Sequence, residues 1–148
     1  MIQTKFAILF FSILAFILFP FSFILSESDF YTSIIPGWHT TFSNGYLIAT
    51  FIKFLLLMFA ITGYWLLSKN NLLIKRKLVV LHALLSVPSV INAKFSLLLL
   101  VDFQSGNMEK INDSIETIVP VIVLMNIMFI TGQVYFGYHF FKIRKTSR

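Results

Sequence analysis

Four long apolar runs, almost free of charged residues, dominate this sequence. They cover residues 6–25, 46–67, 78–101 and 118–141. A helix needs about 20 apolar residues to cross the hydrocarbon of a bilayer. Because backbone polar groups must be paired in lipid, such runs form helices. We therefore expect an all-α membrane protein, a single domain over residues 1–148 with four transmembrane helices in an antiparallel bundle.

The first run is longer than a signal peptide's apolar region, so we interpret it as a retained span.

Acidic and basic residues lie in different polar segments. The acidic residues fall in two segments, as Glu27, Asp29, Asp102, Glu109, Asp113 and Glu116. Most basic residues lie before the first run, between the second and third, or after the fourth, as Lys5, Lys69, Lys75, Arg76, Lys77, Lys142, Arg144, Lys145 and Arg148. Since cationic loops stay on the cytoplasmic side of a membrane, this sorting predicts that both termini are cytoplasmic.

Composition excludes several classes of function. Only 12% of the 148 residues are charged, against about 25% in a typical soluble domain. The absence of cysteine excludes thiol nucleophiles, disulfides and thiolate metal sites. The net charge of +6 does not indicate nucleic-acid binding, because the cations flank the apolar runs. A basic rim facing anionic lipid explains these cations better.

A short amphipathic surface helix is expected before the fourth span. Met108, Ile111, Ile115 and Ile118 are spaced by three, four and three residues, with polar residues between them. This periodicity is typical of an amphipathic helix. Asp113 and Glu116 are also spaced like a capping box, so a helix that begins there is the alternative.

Small and polar residues form one stripe along each span, and we expect these stripes to face one another. They are Ser12, Ala15 and Ser22 in the first span; Tyr46, Ala49, Thr50, Lys53, Ala60 and Tyr64 in the second; His82, Ser86, Ser89, Asn92, Ala93 and Ser96 in the third; and Asn126, Gln133 and Gly137 in the fourth. The many Phe, Leu and Ile side chains would then face lipid. Pro88 predicts a kink in the third span.

Lys53 is the most unusual residue, since it lies about 10 Å inside the second span at 1.5 Å per residue. No acidic residue occurs between Phe30 and Val101 to pair with it. It either extends its amine to the outer headgroups or pairs with a loop acid, a lipid phosphate, another subunit or an anionic ligand. Lys94, at similar depth in the third span, points off the polar stripe and is expected to reach the headgroups.

A ligand pocket in the outer half is one functional hypothesis for these polar residues. Its lining would be Lys53, Asn92 and Asn126, with Trp38 and His39 from the first exterior loop above it. The alternative for both asparagines is ordinary hydrogen bonding between helices.

The histidines suggest a second site, because two histidines on separate spans at one depth can hold a haem. His82 and His139 both lie near the inner ends of their spans. Interfacial hydrogen bonding is the alternative interpretation of both. No cluster supplies the three protein ligands of a catalytic zinc, and no nucleophile or phosphate-loop motif occurs in a supporting context.

The absence of a catalytic signature makes a non-enzymatic accessory or structural subunit of a larger membrane assembly the first functional hypothesis. Its partners would be the lipid bilayer and either other membrane subunits or further copies of this chain, with no nucleic acid and no cofactor. The alternative is a small-molecule carrier or binder around Lys53, for an anionic or quinone-like ligand; a b-type haem protein is a third possibility. Phe, Ile, Lys and Asn are abundant, a composition typical of AT-rich genomes. We expect a bacterial cytoplasmic membrane as the location.

Overall fold

The computed structural model describes residues 4–19, 45–70, 72, 74–101 and 108–146, and this part of the chain is helical. Its four α-helices are α1 (Thr4–Leu18), α2 (Gly45–Lys69), α3 (Arg76–Lys94) and α4 (Met108–Thr146), with a short 3-10 helix at Leu97–Leu100. By length and composition, α2, α3 and α4 can each cross a membrane, whereas α1 has 15 residues and is shorter. The all-helical class is therefore confirmed for the described residues.

The third helix ends earlier than residue 101, the expected limit of the third span. After Lys94 the backbone leaves the helical region at Phe95, with φ −119° and ψ 80°. The Leu97 backbone N–H donates to the Asn92 side-chain oxygen at 3.1 Å, and the Leu98 N–H donates to Ser96 Oγ at 3.3 Å. Asn and Ser side chains compete in this way with backbone pairing. Two polar side chains thus end the helix within an apolar run.

The fourth helix is continuous, and the segment expected to form a separate surface helix, from Met108 to Ile118, is its first part. It holds 39 residues and is about 58 Å long at 1.5 Å per residue, roughly twice the hydrocarbon thickness. The capping-box alternative also differs from the structure, because Asp113 lies inside the helix and its backbone oxygen accepts from Thr117 Oγ1 at 3.0 Å. Ser114 Oγ likewise donates to the Lys110 oxygen at 2.8 Å. These bonds within the helix satisfy polar side chains that would otherwise favour a break.

The helices associate as two closely packed pairs. Helix α1 packs mainly on α2, and α3 packs mainly on α4. Further contacts join α1 to α3 and α2 to α4. Where the four helices meet, their shared core contains three fully or almost fully buried phenylalanines, Phe11, Phe129 and Phe136.

The polar stripe predicted on α3 is confirmed as an inward face. Its buried members are His82, Ser86, Ser89, Asn92 and Ala93. On α2, Thr50, Ala60 and Tyr64 are also buried, although Ala49 is exposed.

The expectation that the phenylalanines face lipid is wrong for Phe11, Phe129 and Phe136. Glycine explains part of this difference. A Cβ atom added to Gly63 would lie 2.7 Å from Phe136 Cζ, so only glycine leaves room for the ring. Small residues let helices approach closely in membrane proteins, and here that space admits an aromatic ring.

Candidate functional site

His82 lies at the centre of a cluster of buried rings to which each of the four described α-helices contributes. We call Phe11 of α1, Tyr64 of α2, His82 of α3 and Phe136 of α4 the aromatic cluster. All four side chains are at most 1% exposed. The imidazole lies between the Phe11 ring, with centroids 4.3 Å apart, and the Phe136 ring, with centroids 5.0 Å apart. Both ring pairs are stacked, at interplanar angles of 26° and 10°.

One hydrogen bond joins two members of the cluster. Tyr64 Oη and His82 Nδ1 are 3.1 Å apart. When the hydroxyl donates to Nδ1, the neutral imidazole carries its proton on Nε2. This second nitrogen is buried and has no hydrogen-bond partner among the described residues. The Gln133 side chain lies near the ring, but its Nε2 donates to Ser86 Oγ, at 3.2 Å.

Two polar pairs continue from this cluster along the interface of α3 and α4. The first is the Gln133–Ser86 bond, and in the second Ser89 Oγ donates to Asn126 Oδ1 at 2.9 Å. Ser86 and Ser89 follow His82 at four and seven residues, so all three share one face of α3. Hydrogen bonds of this kind in a bilayer contribute about 0.6 kcal/mol each on average. Their geometry fixes the register of α3 against α4.

In the described part of the predicted ligand pocket, the two asparagines have hydrogen-bond partners other than Lys53. Lys53 is half-buried on α2 and makes no hydrogen bond or ion pair with any residue that the structure describes. Asn92 accepts from Leu97, and Asn126 accepts from Ser89. No hydrogen bond brings either amide to Lys53 within the described segments. Trp38 and His39 lie outside the described residues, so the pocket stays a prediction.

Lys94, the other cation of the apolar runs, is exposed at the last residue of α3. This position is off the buried stripe, as its helical phase predicts.

The two histidines of the haem hypothesis have different ring partners among the described residues. His82 is enclosed in the aromatic cluster, with Nδ1 bonded to Tyr64. His139 makes edge contacts with Tyr135 and Tyr138 of its own helix, at centroid distances of 4.6 and 5.4 Å. Among the described residues, no group of three or more His, Asp or Glu side chains could hold a metal ion.

Sequence reasoning included Tyr64 and His82 in polar stripes but missed the aromatic cluster itself. Phe11 and Phe136 were expected to face lipid. In an apolar run, residue type alone does not show whether an aromatic ring faces lipid or the protein interior. Gly63, one residue before Tyr64, was the available signal. A glycine inside a span marks a place where another helix can come close.

The aromatic cluster also brings the basic ends of the helices together. Phe11 is the middle residue of α1, whereas the other members lie toward the end of α2, the start of α3 and the end of α4. Phe11 packs on Tyr64 and Phe19 packs on Phe54, so α1 and α2 run in opposite directions and Lys5 lies toward the same end as Lys69. The basic residues beyond these positions therefore share one end of the molecule, which we call the basic end: Lys5, Lys69, Lys75, Arg76, Lys77, Lys142, Arg144 and Lys145. The acidic residues that the structure describes are Glu109, Asp113 and Glu116, at the opposite end of α4.

A scan of the chain against protein-family models finds no match, and searches among curated proteins and solved structures find none either.

Proposed function

We propose that this chain is a small integral membrane protein that serves as a non-catalytic subunit of a larger membrane assembly. It crosses the bilayer four times as an antiparallel bundle, with the basic end and both termini in the cytoplasm. Three helices of sufficient length and the sorting of charge to opposite ends support this topology. The proposed location is a bacterial cytoplasmic membrane.

The observation that carries the proposal is the first half of α4, which the other described helices cover only in part. Among the described residues, no side chain from Met108 to Met128 is buried, and the first buried position of this helix is Phe129. The exposed apolar side chains there include Val119, Val121, Val123, Leu124 and Ile127. About half of the helix also exceeds the hydrocarbon thickness. A long apolar face that the other described helices leave open suits a partner helix.

The buried polar side chains support a structural role for the bundle itself. Tyr64 bonds to His82, Ser86 to Gln133 and Ser89 to Asn126, so most of them satisfy one another. Groups paired in this way hold helices together. They do not form an open set of donors and acceptors for a substrate.

Native mass spectrometry after gentle detergent extraction tests this proposal. We expect the chain to be released with other membrane subunits at a fixed stoichiometry. Leu124→Trp, at a position 57% exposed on α4, should dissociate that assembly because the larger ring disturbs the contact. The matched control is Leu55→Trp on α2, 50% exposed, which should leave the assembly intact.

Release of the wild-type chain alone, carrying only lipid, would refute the subunit proposal. A bound small molecule that is lost in Lys53→Ala, while the protein stays folded, would replace it with the carrier hypothesis. Extraction of the protein from membranes by alkaline carbonate would refute the membrane location itself.

A further inference from the structure

Buried residues flank the described part of the connection between α2 and α3 and the first turn of α3. Leu67 and Ile74 are 2% and 1% exposed, and Leu78 is 5% exposed. The Leu72 backbone N–H donates to the Leu67 oxygen at 3.0 Å. Between Ile74 and Leu78 lie three exposed cations, Lys75, Arg76 and Lys77, which we call the basic triplet. Its backbone is therefore fixed by its neighbours, while its side chains face outward.

The basic triplet lies where the helix dipole disfavours cations. Its last two residues begin α3, the first turn contains no acidic residue, and the preceding Lys75 makes no side-chain capping bond. The N-terminus of a helix carries a partial positive charge. By contrast, Lys69 of α2 and Arg144 and Lys145 of α4 lie in C-terminal turns, where the dipole stabilises cations. Helix stability thus accounts for the cations in the last turns of α2 and α4 but not for the triplet. A bound anion would offset the unfavourable interaction of the triplet with the dipole.

The surroundings of the triplet match a lipid headgroup layer. Within the described chain, the basic end contains no acidic residue that could neutralise it. Trp65, one turn before the end of α2, is 51% exposed, and Lys69 Nζ lies 5.5 Å from the centroid of its ring. Exposed tryptophan favours the headgroup level of a bilayer, where one side of the ring is apolar and the other is wet.

We propose that the basic end binds the phosphates of anionic phospholipids, with the basic triplet as the main contact. The planar guanidinium of Arg76 can donate two hydrogen bonds to one phosphate. The ammonium groups of Lys75 and Lys77 on either side add positive charge. Because buried Ile74 and Leu78 already fix the backbone on both sides of the triplet, less conformational entropy is lost when it binds a phosphate. The inference rests on the proposed membrane location but not on the proposed assembly.

Lipid retention measured by native mass spectrometry tests this inference. The purified protein is placed in micelles that contain equal amounts of phosphatidylglycerol and phosphatidylcholine. We expect the wild-type chain to retain about tenfold more of the anionic lipid, since each cation near an anionic surface adds several-fold to binding. Lys75→Gln/Arg76→Gln should bring the two lipids close to parity.

The matched control removes two exposed cations outside the basic end, as Lys94→Gln/Lys110→Gln. It changes the net charge equally and should keep the wild-type preference for the anionic lipid. A second measurement needs no variant: raising the salt from about 0.1 M to about 1 M should abolish the preference of the wild-type chain, because the screening length falls to about 3 Å.

Three results would overturn the inference: equal retention of both lipids by the wild-type chain, an equal loss of preference in the control variant, or displacement of the lipid by inorganic phosphate. The last would identify a soluble anion as the ligand. None of these three results bears on the membrane location, which the alkaline carbonate experiment tests separately.

Discussion

Gly63 determines how closely α2 and α4 approach at the aromatic cluster. The ring of Phe136 that faces it also packs on Tyr64, with centroids 4.4 Å apart, and on His82. Because this ring is confined on several sides, Gly63→Ala should force an overpacked core and lower the free energy of unfolding by about 1–3 kcal/mol. Gly137→Ala is the control, since no atom lies within 4 Å of its added Cβ. It should change stability by no more than about 1 kcal/mol, in the stabilising direction. Denaturant titration in micelles measures both, and equal effects would contradict this account of Gly63.

The pairing of α3 with α4 depends on hydrogen bonds that act separately. Ser89 and Asn126 form one pair, and Gln133 belongs to the other, with Ser86. In a double-mutant cycle, Ser89→Ala and Asn126→Leu should show a coupling of about 0.6 kcal/mol in the free energy of unfolding. Ser89→Ala and Gln133→Leu should be additive within about 0.3–0.5 kcal/mol, because they share no partner. Coupling of equal size in both cycles would mean that the interface responds as one unit and not through separate bonds.

Helix type and inward polar faces could be predicted from the sequence because they depend on composition and period alone. The stripe from His82 to Ala93 shows this, since its small and polar residues recur at the helical period. Helix ends were less predictable because they depend on individual hydrogen bonds. The end of α3 depends on the Asn92 side chain, whose acceptor competes with the backbone. At the start of α4, Ser114 and Thr117 bond to backbone oxygens of the same helix and do not interrupt it, which their residue types alone do not predict.

The aromatic cluster could be predicted only in part. Tyr64 and His82 carry polar atoms, so their preference for the interior can be inferred from residue type. Phe11 and Phe136 are compatible with lipid or with a protein core, and which of the two they face depends on the neighbouring helix. The space left by Gly63 decides it for Phe136, and that space exists only once α2 and α4 are packed together.

The sorting of charge to opposite ends of the whole molecule predicts which side of the membrane each end occupies. The chain contains no cysteine, so single-cysteine variants carry no background reactivity. Asn112 lies in the acidic first turns of α4 and Asn70 follows α2 at the basic end, and both side chains are exposed. We expect a membrane-impermeant maleimide to label Asn112→Cys in intact cells and Asn70→Cys only after permeabilisation, because cationic segments stay in the cytoplasm. Val123→Cys, on the exposed apolar part of α4, should resist labelling in both cases. Both exchanges replace a neutral asparagine and leave the charges that set the orientation intact. Labelling of Asn112→Cys and Asn70→Cys from the same side would therefore contradict the four-span topology itself.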